Sequence, residues 1–121
     1  MTRPMTPSHV IAFDDPATPC TTSVTDDPAL VDAAYTSHAW RHFTNPEKSA
    51  VAGIWEAGPH CQREVADYDE MCHILEGQVR LTDADGTARV FGPGDSFTIT
   101  RGFTGTWENL TFVRKVYFIL G

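Results

Sequence analysis

Residues 67–97, DYDEMCHILEGQVRLTDADGTARVFGPGDSF, contain three short apolar segments separated by tight turns. Gly77 follows the first segment, and Asp85 and Gly86 form a dipeptide that favours a two-residue hairpin. Glycine and proline at residues 92–94 end the third segment. The stretch therefore predicts three antiparallel β-strands, the first of which begins with a glutamate, Glu70.

The β pattern continues on both sides of this stretch. Upstream, HAWRHF and AVAGIWEA are separated by the turn NPEKS, and GPHCQ is expected to be a further turn or loop. Short, closely spaced strands are typical of a barrel or jelly roll rather than of a parallel sheet with helices, so we predict an all-β fold. From Glu70 onward, the predicted strands lie near residues 70–75, 78–83, 87–91, 96–100, 103–109 and 111–119.

The N-terminal part of the chain has a different composition. Residues 1–28 are rich in Thr, Pro, Asp and Ser, with one short apolar patch at residues 10–13. We interpret residues 1–37 as an extended N-terminal arm, laid along a sheet edge or a partner subunit. Within the arm, residues 28–35 are compatible with a short helix that Asp27 would cap. Residues 38–121 then form one barrel domain.

Composition excludes several classes of partner. Nine Lys and Arg against sixteen Asp and Glu give a formal charge of −7 and a pI near 5.0, the wrong sign for binding nucleic acid or an anionic membrane surface. No apolar run approaches the roughly 20 residues that span a bilayer, and the N-terminus lacks the apolar core of a signal peptide. We expect a cytoplasmic protein. Its three cysteines have no CxxC spacing and are interpreted as free thiols.

The strand at residues 70–75 is apolar on both faces. Glu70, Cys72 and Ile74 share one side, while Met71 and Leu75 lie on the other. We therefore expect another segment or a second chain to cover the face of this strand that points away from the barrel interior. A second subunit is the economical candidate in so small a domain, so we predict a homodimer, with the N-terminal arm as the alternative cover.

The sequence resembles the cupins. Glu70 and Gly77 match the end of the first cupin motif, and Gly94, Gly102 and Asn109 match the second at the right spacing. Within the cupins, the chain is most similar to the cupin domain of ureidoglycine aminohydrolase. The segments that carry this likeness, over about residues 40–120, are AGIWEAGP, YDEMCHILEG, GPGDSFTIT, GFTGTWE and VRKVYFI. The resemblance implies a double-stranded β-helix, or jelly-roll, barrel that binds a small molecule.

The metal ligands of the family are largely missing. The two histidines of the first motif would fall at residues 63–66, which read Arg-Glu-Val-Ala, and the histidine of the second falls at Gly105. Glu64 and Glu70 remain, but a catalytic metal usually needs three or more protein ligands. We therefore predict no metal and no cofactor. The alternative is that His60, in the preceding loop, provides a third ligand.

The candidate catalytic residues are Glu70, Glu64 and His60. A carboxyl group buried without a partner has a raised pKa and suits proton transfer near neutral pH. In the competing interpretation, Lys115 or Arg101 reaches Glu70 and forms a purely structural ion pair. The residues predicted to line the substrate site, in part from the resemblance, are Trp55, Tyr68, Cys72, Arg101, Trp107, Lys115 and Tyr117.

Three functions remain open from the sequence. The first is an enzyme that acts on a small metabolite by metal-independent proton transfer, as in an isomerisation, dehydration or cyclisation. The second is a metal-dependent aminohydrolase or oxygenase, against which the missing histidines argue. The third is a binding module without chemistry. The fold alone does not separate these functions.

Overall fold

The computed structural model describes residues 6–121, which contain ten β-strands and one short 3-10 helix, Pro46–Lys48. The strands form two antiparallel sheets. In spatial order, the larger sheet contains β1 (Cys20–Thr25), β2 (Tyr35–Asn45), β3 (Ala50–Ala57), β10 (Val113–Leu120), β5 (Asp69–Glu76) and β8 (Ser96–Ile99). The smaller sheet contains β4 (His60–Val65), β9 (Thr104–Asn109), β6 (Val79–Asp83) and β7 (Ala88–Phe91).

The predicted all-β jelly-roll architecture is confirmed. Strands expected after residue 69 occur within about two residues of their predicted bounds, and AVAGIWEA forms β3 as expected. Within the described residues, no helix is long and apolar enough to cross a membrane.

Strand β4 was not predicted, because GPHCQ reads as a turn or loop. Its alternation is inverted relative to an ordinary half-buried strand: the apolar residues Cys61 and Val65 point to solvent, while His60, Gln62 and Glu64 are partly buried. A strand whose inner face borders a polar cavity lacks the usual apolar signal for burial.

The arm is laid along a sheet edge, one of the two predicted placements. Strand β1 pairs with β2 from Cys20 opposite Trp40 to Thr25 opposite Tyr35. The boundary predicted at residue 37/38 falls inside β2. Residues 1–5 of the predicted arm lie outside the described residues.

The predicted short helix at residues 28–35 is wrong. The carboxylate of Asp27 accepts a hydrogen bond from the Ala29 N–H at 2.9 Å, and its carbonyl accepts from Leu30 and Val31. Asp27 therefore caps a turn as expected, but β2 begins at Tyr35 and its pairing with β1 leaves no room for further helical turns.

The apolar core fills one part of the space between the sheets. Its centre consists of residues with no exposed surface on β5, β6 and β10: Cys72, Ile74, Val79 and Val113. Trp107 on β9 belongs to this cluster and also faces the remaining, open part of the barrel. The packed core thus ends at a wall of aromatic rings, beyond which lies a cavity.

Candidate functional site

The open part of the barrel is a cavity of about 290 Å³ between the two sheets. Strands β2, β3, β5 and β10 form one wall, β4 and β9 the other, and β1 contributes to the rim. The residues that line the cavity are Thr21, Ser23, Tyr35, Ser37, Ala39, Arg41, Val51, Trp55, His60, Gln62, Glu64, Tyr68, Glu70, Trp107, Lys115, Tyr117 and Ile119.

A buried ion pair lies at the inner end of the cavity. The Lys115 ammonium donates a hydrogen bond to Glu70 Oε2 at 2.7 Å, and both residues are only 6% exposed. The two strands place them together because β5 and β10 are neighbours and both side chains lie on the inner face. The Glu70 carboxylate is therefore committed to a cation, as the ion-pair interpretation requires.

Aromatic rings and a thiol surround the Lys115 ammonium. Its nitrogen lies 4.1 Å from the centre of the Trp107 ring, 4.8 Å from that of Trp55 and 3.7 Å from Cys72 Sγ. Burial raises the pKa of the Cys72 thiol to about 12, so this neighbour is neutral near pH 7. Burial disfavours the charge on Lys115, but the electrostatic effects of Cys72 and Glu70, together with the hydrogen bond to Glu70, outweigh it and the pKa of Lys115 is raised. The site therefore contains a permanent, partly dehydrated cation.

Glu64 provides the second carboxyl group, and it lacks a partner. Its Oε2 atom is buried, yet no atom of the described residues forms a hydrogen bond with it. Burial raises the pKa of Glu64; Lys115 opposes this effect and Glu70 adds to it. Buried polar atoms are rarely left unsatisfied, so this oxygen is a candidate contact for a bound molecule.

His60 presents one free ring nitrogen to the cavity. Its Nδ1 donates to the Gly58 carbonyl at 2.9 Å, which assigns the proton to Nδ1 and leaves Nε2 as an acceptor. The ring stacks on Tyr35 with centroids 3.5 Å apart, and the Tyr35 hydroxyl donates to the Gln62 amide oxygen. Burial and, less strongly, Lys115 lower the pKa of His60, so the neutral form is favoured.

The structure brings together most of the predicted site residues. Eight of the ten line the cavity: Trp55, His60, Glu64, Tyr68, Glu70, Trp107, Lys115 and Tyr117. Cys72 does not line it but lies directly behind Lys115. Lys115 enters the barrel, whereas the neighbouring Arg114 pairs with Glu56 at 2.6 Å.

Arg101 is not in the site. It is exposed in the turn between β8 and β9, where its backbone N–H donates to Asp69 Oδ1 at 2.8 Å. It therefore does not reach Glu70, and the alternative pairing of Arg101 with Glu70 is wrong. The turn carries the residue outward because Gly102, which follows it, adopts a φ of +97°.

The cavity residues contributed by β1, β2 and the middle of β4 were not predicted from the sequence. They include Ser37 and Arg41 on β2, and Gln62 on β4. Residues before 38 had been assigned to the arm, and β4 to a loop. The one available signal was period-2 alternation in YTSHAWR, which places Tyr35, Ser37, Ala39 and Arg41 on one face.

The residues present do not fit a catalytic metal ion. Within residues 6–121, no group of three or more His, Cys, Asp or Glu side chains is placed to hold one. The Glu70 carboxylate already binds the Lys115 ammonium, and His60 directs Nδ1 to a backbone carbonyl. The ammonium of Lys115 occupies the position beside the Glu70 carboxylate, where a metal ion would otherwise bind.

Comparison with known protein families gives a match, which includes most of the strands that line the cavity. A family model described as the EutQ-like cupin domain matches residues 44–117, which include β3 to β9 and most of β10. No curated protein matches the sequence.

Solved structures share the fold at low sequence identity. A protein of unknown function from Pseudomonas syringae pv. tomato is 21% identical, with a TM-score of 0.76 over 87% of this chain and 46% of that protein. The EutQ protein of Clostridium difficile is 18% identical, with a TM-score of 0.63 over 71% and 63% of the two chains. The polyketide cyclase RemF of Streptomyces resistomycificus is 16% identical, with a TM-score of 0.61 over 83% and 72%. This chain spans less than two thirds of the first two proteins, and all three likenesses concern the fold.

Proposed function

This chain belongs to the EutQ-like cupin domain family, and we propose that it binds a small metabolite and catalyses a metal-independent proton transfer inside the barrel. The cupin resemblance is thereby confirmed. The finer likeness to ureidoglycine aminohydrolase stays a hypothesis, as does the reaction.

One observation supports the proposal above all others. Glu64 and Lys115 line the same cavity, and Oε2 of Glu64 is buried without a hydrogen-bond partner among residues 6–121. A general base needs a carboxylate whose pKa lies closer to neutrality than usual, and the pKa of Glu64 is raised. An oxyanion needs a fixed donor in a water-poor site, and Lys115 is such a donor.

These groups suit the enolisation of a carbonyl compound. In this scheme, Glu64 removes a proton from the carbon next to a carbonyl, the C–H electrons form a C=C bond, and the carbonyl π electrons move to oxygen. Lys115 hydrogen-bonds the resulting enolate. If the carbon that loses the proton carries a hydroxyl group, the hydroxyl proton moves to the enolate oxygen, and return of the proton from Glu64 to the former carbonyl carbon then gives the isomeric hydroxycarbonyl compound. Transfer of that proton to a β-hydroxyl, which leaves as water when the enolate collapses, gives a dehydration.

Glu70 has a different role from the one that its position first indicated. Because its carboxylate is bound to Lys115, we assign it as a positioning residue that holds the ammonium, and Glu64 replaces it as the proton-transfer group. His60 Nε2 remains an acceptor for a hydroxyl group of the substrate. The rings of Trp55 and Trp107 form an apolar wall for its carbon skeleton.

Proton transfer to carbon is measured directly by exchange with solvent deuterium. The parent, incubated in D₂O with a panel of small ketones, hydroxyketones and keto acids, is expected to catalyse deuterium incorporation next to the carbonyl, followed by ¹H NMR. Glu64→Gln should lose about 10²- to 10⁴-fold in rate. Glu47→Gln changes an exposed carboxylate and is the matched control. Equal exchange by the parent and Glu64→Gln would exclude Glu64 as the base.

Two other functions remain as alternatives. A metal-dependent aminohydrolase or oxygenase would need ligands that this donor set lacks. A non-catalytic binding module would bind ligands from the panel without exchange. The polyketide cyclase RemF shares this fold, and the similarity extends to the fold alone.

The assembly and location are also proposals. We propose a homodimer, because the outer face of the larger sheet exposes apolar side chains on β5 and β10. A cytoplasmic location and the absence of nucleic-acid and membrane partners stay predictions from composition and charge.

A further inference from the structure

The rim of the cavity contains a cation without a partner. Arg41 on β2 lines the cavity, and no ion pair or hydrogen bond joins its guanidinium to any of residues 6–121. The chain has sixteen carboxylate residues, and three other arginines use them: Arg63 pairs with Asp32, Arg80 with Glu108 and Arg114 with Glu56. Arg41 is exposed at the rim, so its guanidinium is accessible to a ligand in the cavity.

Three small hydroxyl groups face the same part of the cavity. Thr21 and Ser23 on β1 lie opposite Ala39 and Ser37 on β2 in the antiparallel register, and all four line the cavity. The hydroxyls of Thr21, Ser23 and Ser37 form no hydrogen bond with any described residue. Ser37 is 9% exposed, and its surface lines the cavity, so a ligand in the cavity can reach its hydroxyl. Together with Arg41, they form what we call the hydroxyl rim.

A local irregularity of β2 lies at Arg41. The register of β2 and β3 shifts between Trp40 and Phe43, so that Arg41 and His42 together lie opposite Gly53. Such a β-bulge bends the strand and redirects side chains. The backbone of β2 here approaches Gly53 so closely that only glycine fits, which fixes the bulge in place.

The charges that line the cavity also favour an anion. Lys115 and Arg41 supply two positive charges, and Glu70 neutralises the first. Burial raises the pKa of Glu64, which reduces the negative charge that Glu64 contributes. A ligand with an ammonium group would be repelled by Lys115 and Arg41, whereas an oxyanion at the rim would meet the Arg41 guanidinium and three hydroxyls that can each donate a hydrogen bond.

We propose that the ligand is a small organic anion whose carboxylate or phosphate group binds Arg41 and the hydroxyls of Thr21, Ser23 and Ser37. The inference rests on the proposed small-molecule function and names the class of its substrate. The aromatic wall then holds the carbon skeleton, and the carbonyl at the opposite end of the ligand reaches Lys115 and Glu64. The volume of about 290 Å³, at the lower limit of ordinary ligand pockets, restricts the ligand to metabolite size.

Matched probes that differ only in charge test this inference. Benzoate, benzamide and phenyl phosphate are each titrated into the full chain, and binding is followed by tryptophan fluorescence, since Trp55 and Trp107 line the cavity. We expect at least one of the two anions to bind more tightly than benzamide. Arg41→Gln should weaken anion binding on the order of tenfold to a hundredfold, the worth of a charged hydrogen bond, and leave benzamide unchanged. The two anions distinguish a carboxylate site from a phosphate site.

Two further variants control for a general effect of charge. Arg41→Lys keeps the charge and should keep part of the preference for anions. Arg89→Gln removes an exposed arginine outside the cavity and should change nothing. The inference is wrong if benzamide binds the parent as tightly as both anions, if Arg41→Gln retains the preference, or if neither anion binds at millimolar concentration. Glu64→Gln separates the two proposals, because it should lose deuterium exchange and still bind anions.

Discussion

At the scale of single residues, the ammonium of Lys115 is the most constrained group in the molecule. A carboxylate, a thiol and two indole rings surround it within 4.8 Å. Taking both charges of the Lys115–Glu70 pair out of water is costly, and their attraction offsets that cost only while both are present. The pair therefore acts as a unit, and removing one member leaves the other charged and buried.

Glu70→Gln is expected to destabilise the protein, because it leaves the Lys115 cation without its counter-charge. The loss in the free energy of unfolding should be about 3–5 kcal/mol, measured by urea denaturation. Adding Lys115→Met to Glu70→Gln removes the stranded charge and should restore most of the loss. A single variant as stable as the parent would contradict the ion pair.

Glu64 should make stability depend on pH with the opposite sign to a salt-bridged carboxylate. Its pKa in the folded state is raised above 4.5 by burial, so the folded state binds this proton more tightly than the unfolded state. Stability is then lost as the pH rises above about 4.5 through the folded pKa. Relative to the parent, Glu64→Gln should gain melting temperature between pH 4 and pH 8, whereas Glu47→Gln should show no such trend. A difference between Glu64→Gln and the parent that is constant with pH would count against the raised pKa.

Which carboxylate is free could not be predicted from the sequence. The strand of Glu70 has a clear apolar pattern, so its burial was predictable from residues 70–75, and the cupin resemblance implied that Glu70 points into the barrel. Whether Lys115 or Arg101 would reach it depends on which strand is its neighbour in the sheet. Glu64 remained a secondary candidate because its own strand was not recognised. The pairing of β5 with β10, which are distant in sequence, places Lys115 beside Glu70 and leaves Glu64 as the candidate base.

At the scale of elements, the contact between β2 and β3 depends on the absence of one side chain. A Cβ atom at Gly53 would lie 1.8 Å from the Trp40 carbonyl oxygen, a distance that no packing adjustment of side chains relieves. Two residues of β2, Arg41 and His42, occupy the space opposite Gly53. The glycine thus sets the bulge and, with it, the hydroxyl rim.

Gly53→Ala is expected to destabilise the protein by at least the cost of overpacking a core, about 1–3 kcal/mol, because the backbone of β2 must move. Gly58→Ala is the matched control, since a Cβ atom at Gly58 would meet no atom within 4 Å. Urea denaturation of both variants measures the difference. Anion binding by Gly53→Ala should weaken as well if Arg41 is displaced. Equal stability of the two variants would show that the close approach is not retained in solution.

The elements themselves differed in how far the sequence predicted them. Strand β5 was predictable because its burial repeats every second residue, and β3 because its segment AVAGIWEA is largely apolar and is preceded by a turn. Strands β1 and β4 were not, because they contribute polar side chains to a cavity and carry apolar ones, such as Val24 and Val65, outside. Strands that line a polar cavity therefore lack the alternating apolar pattern by which a strand is predicted from sequence.

At the scale of the whole molecule, the outer face of the larger sheet is covered on β2 and exposed on β5 and β10. On the outer face of β2, Phe13 from the arm stacks on His42 with ring centres 5.4 Å apart. On β5 and β10, Met71, Leu75, Phe118 and Leu120 are each 40–45% exposed. The arm packs on the outer face of β2 and leaves the outer faces of β5 and β10 exposed. A second subunit is therefore expected to cover β5 and β10.

A homodimer through β5 and β10 is the expected consequence. Met71 and Phe118 are register partners on adjacent strands, so their side chains form the centre of one contiguous apolar surface. Phe118→Lys should convert the dimer to a monomer, because a lysine at the centre of an apolar contact would be buried without a partner. Val90→Lys is the control: Val90 is exposed to a similar extent, 46%, but lies on β7 in the other sheet, so its change should leave the dimer intact. Light scattering at high micromolar concentration measures both. A monomeric parent would exclude the dimer, and dissociation by Val90→Lys instead of Phe118→Lys would place the contact on the smaller sheet.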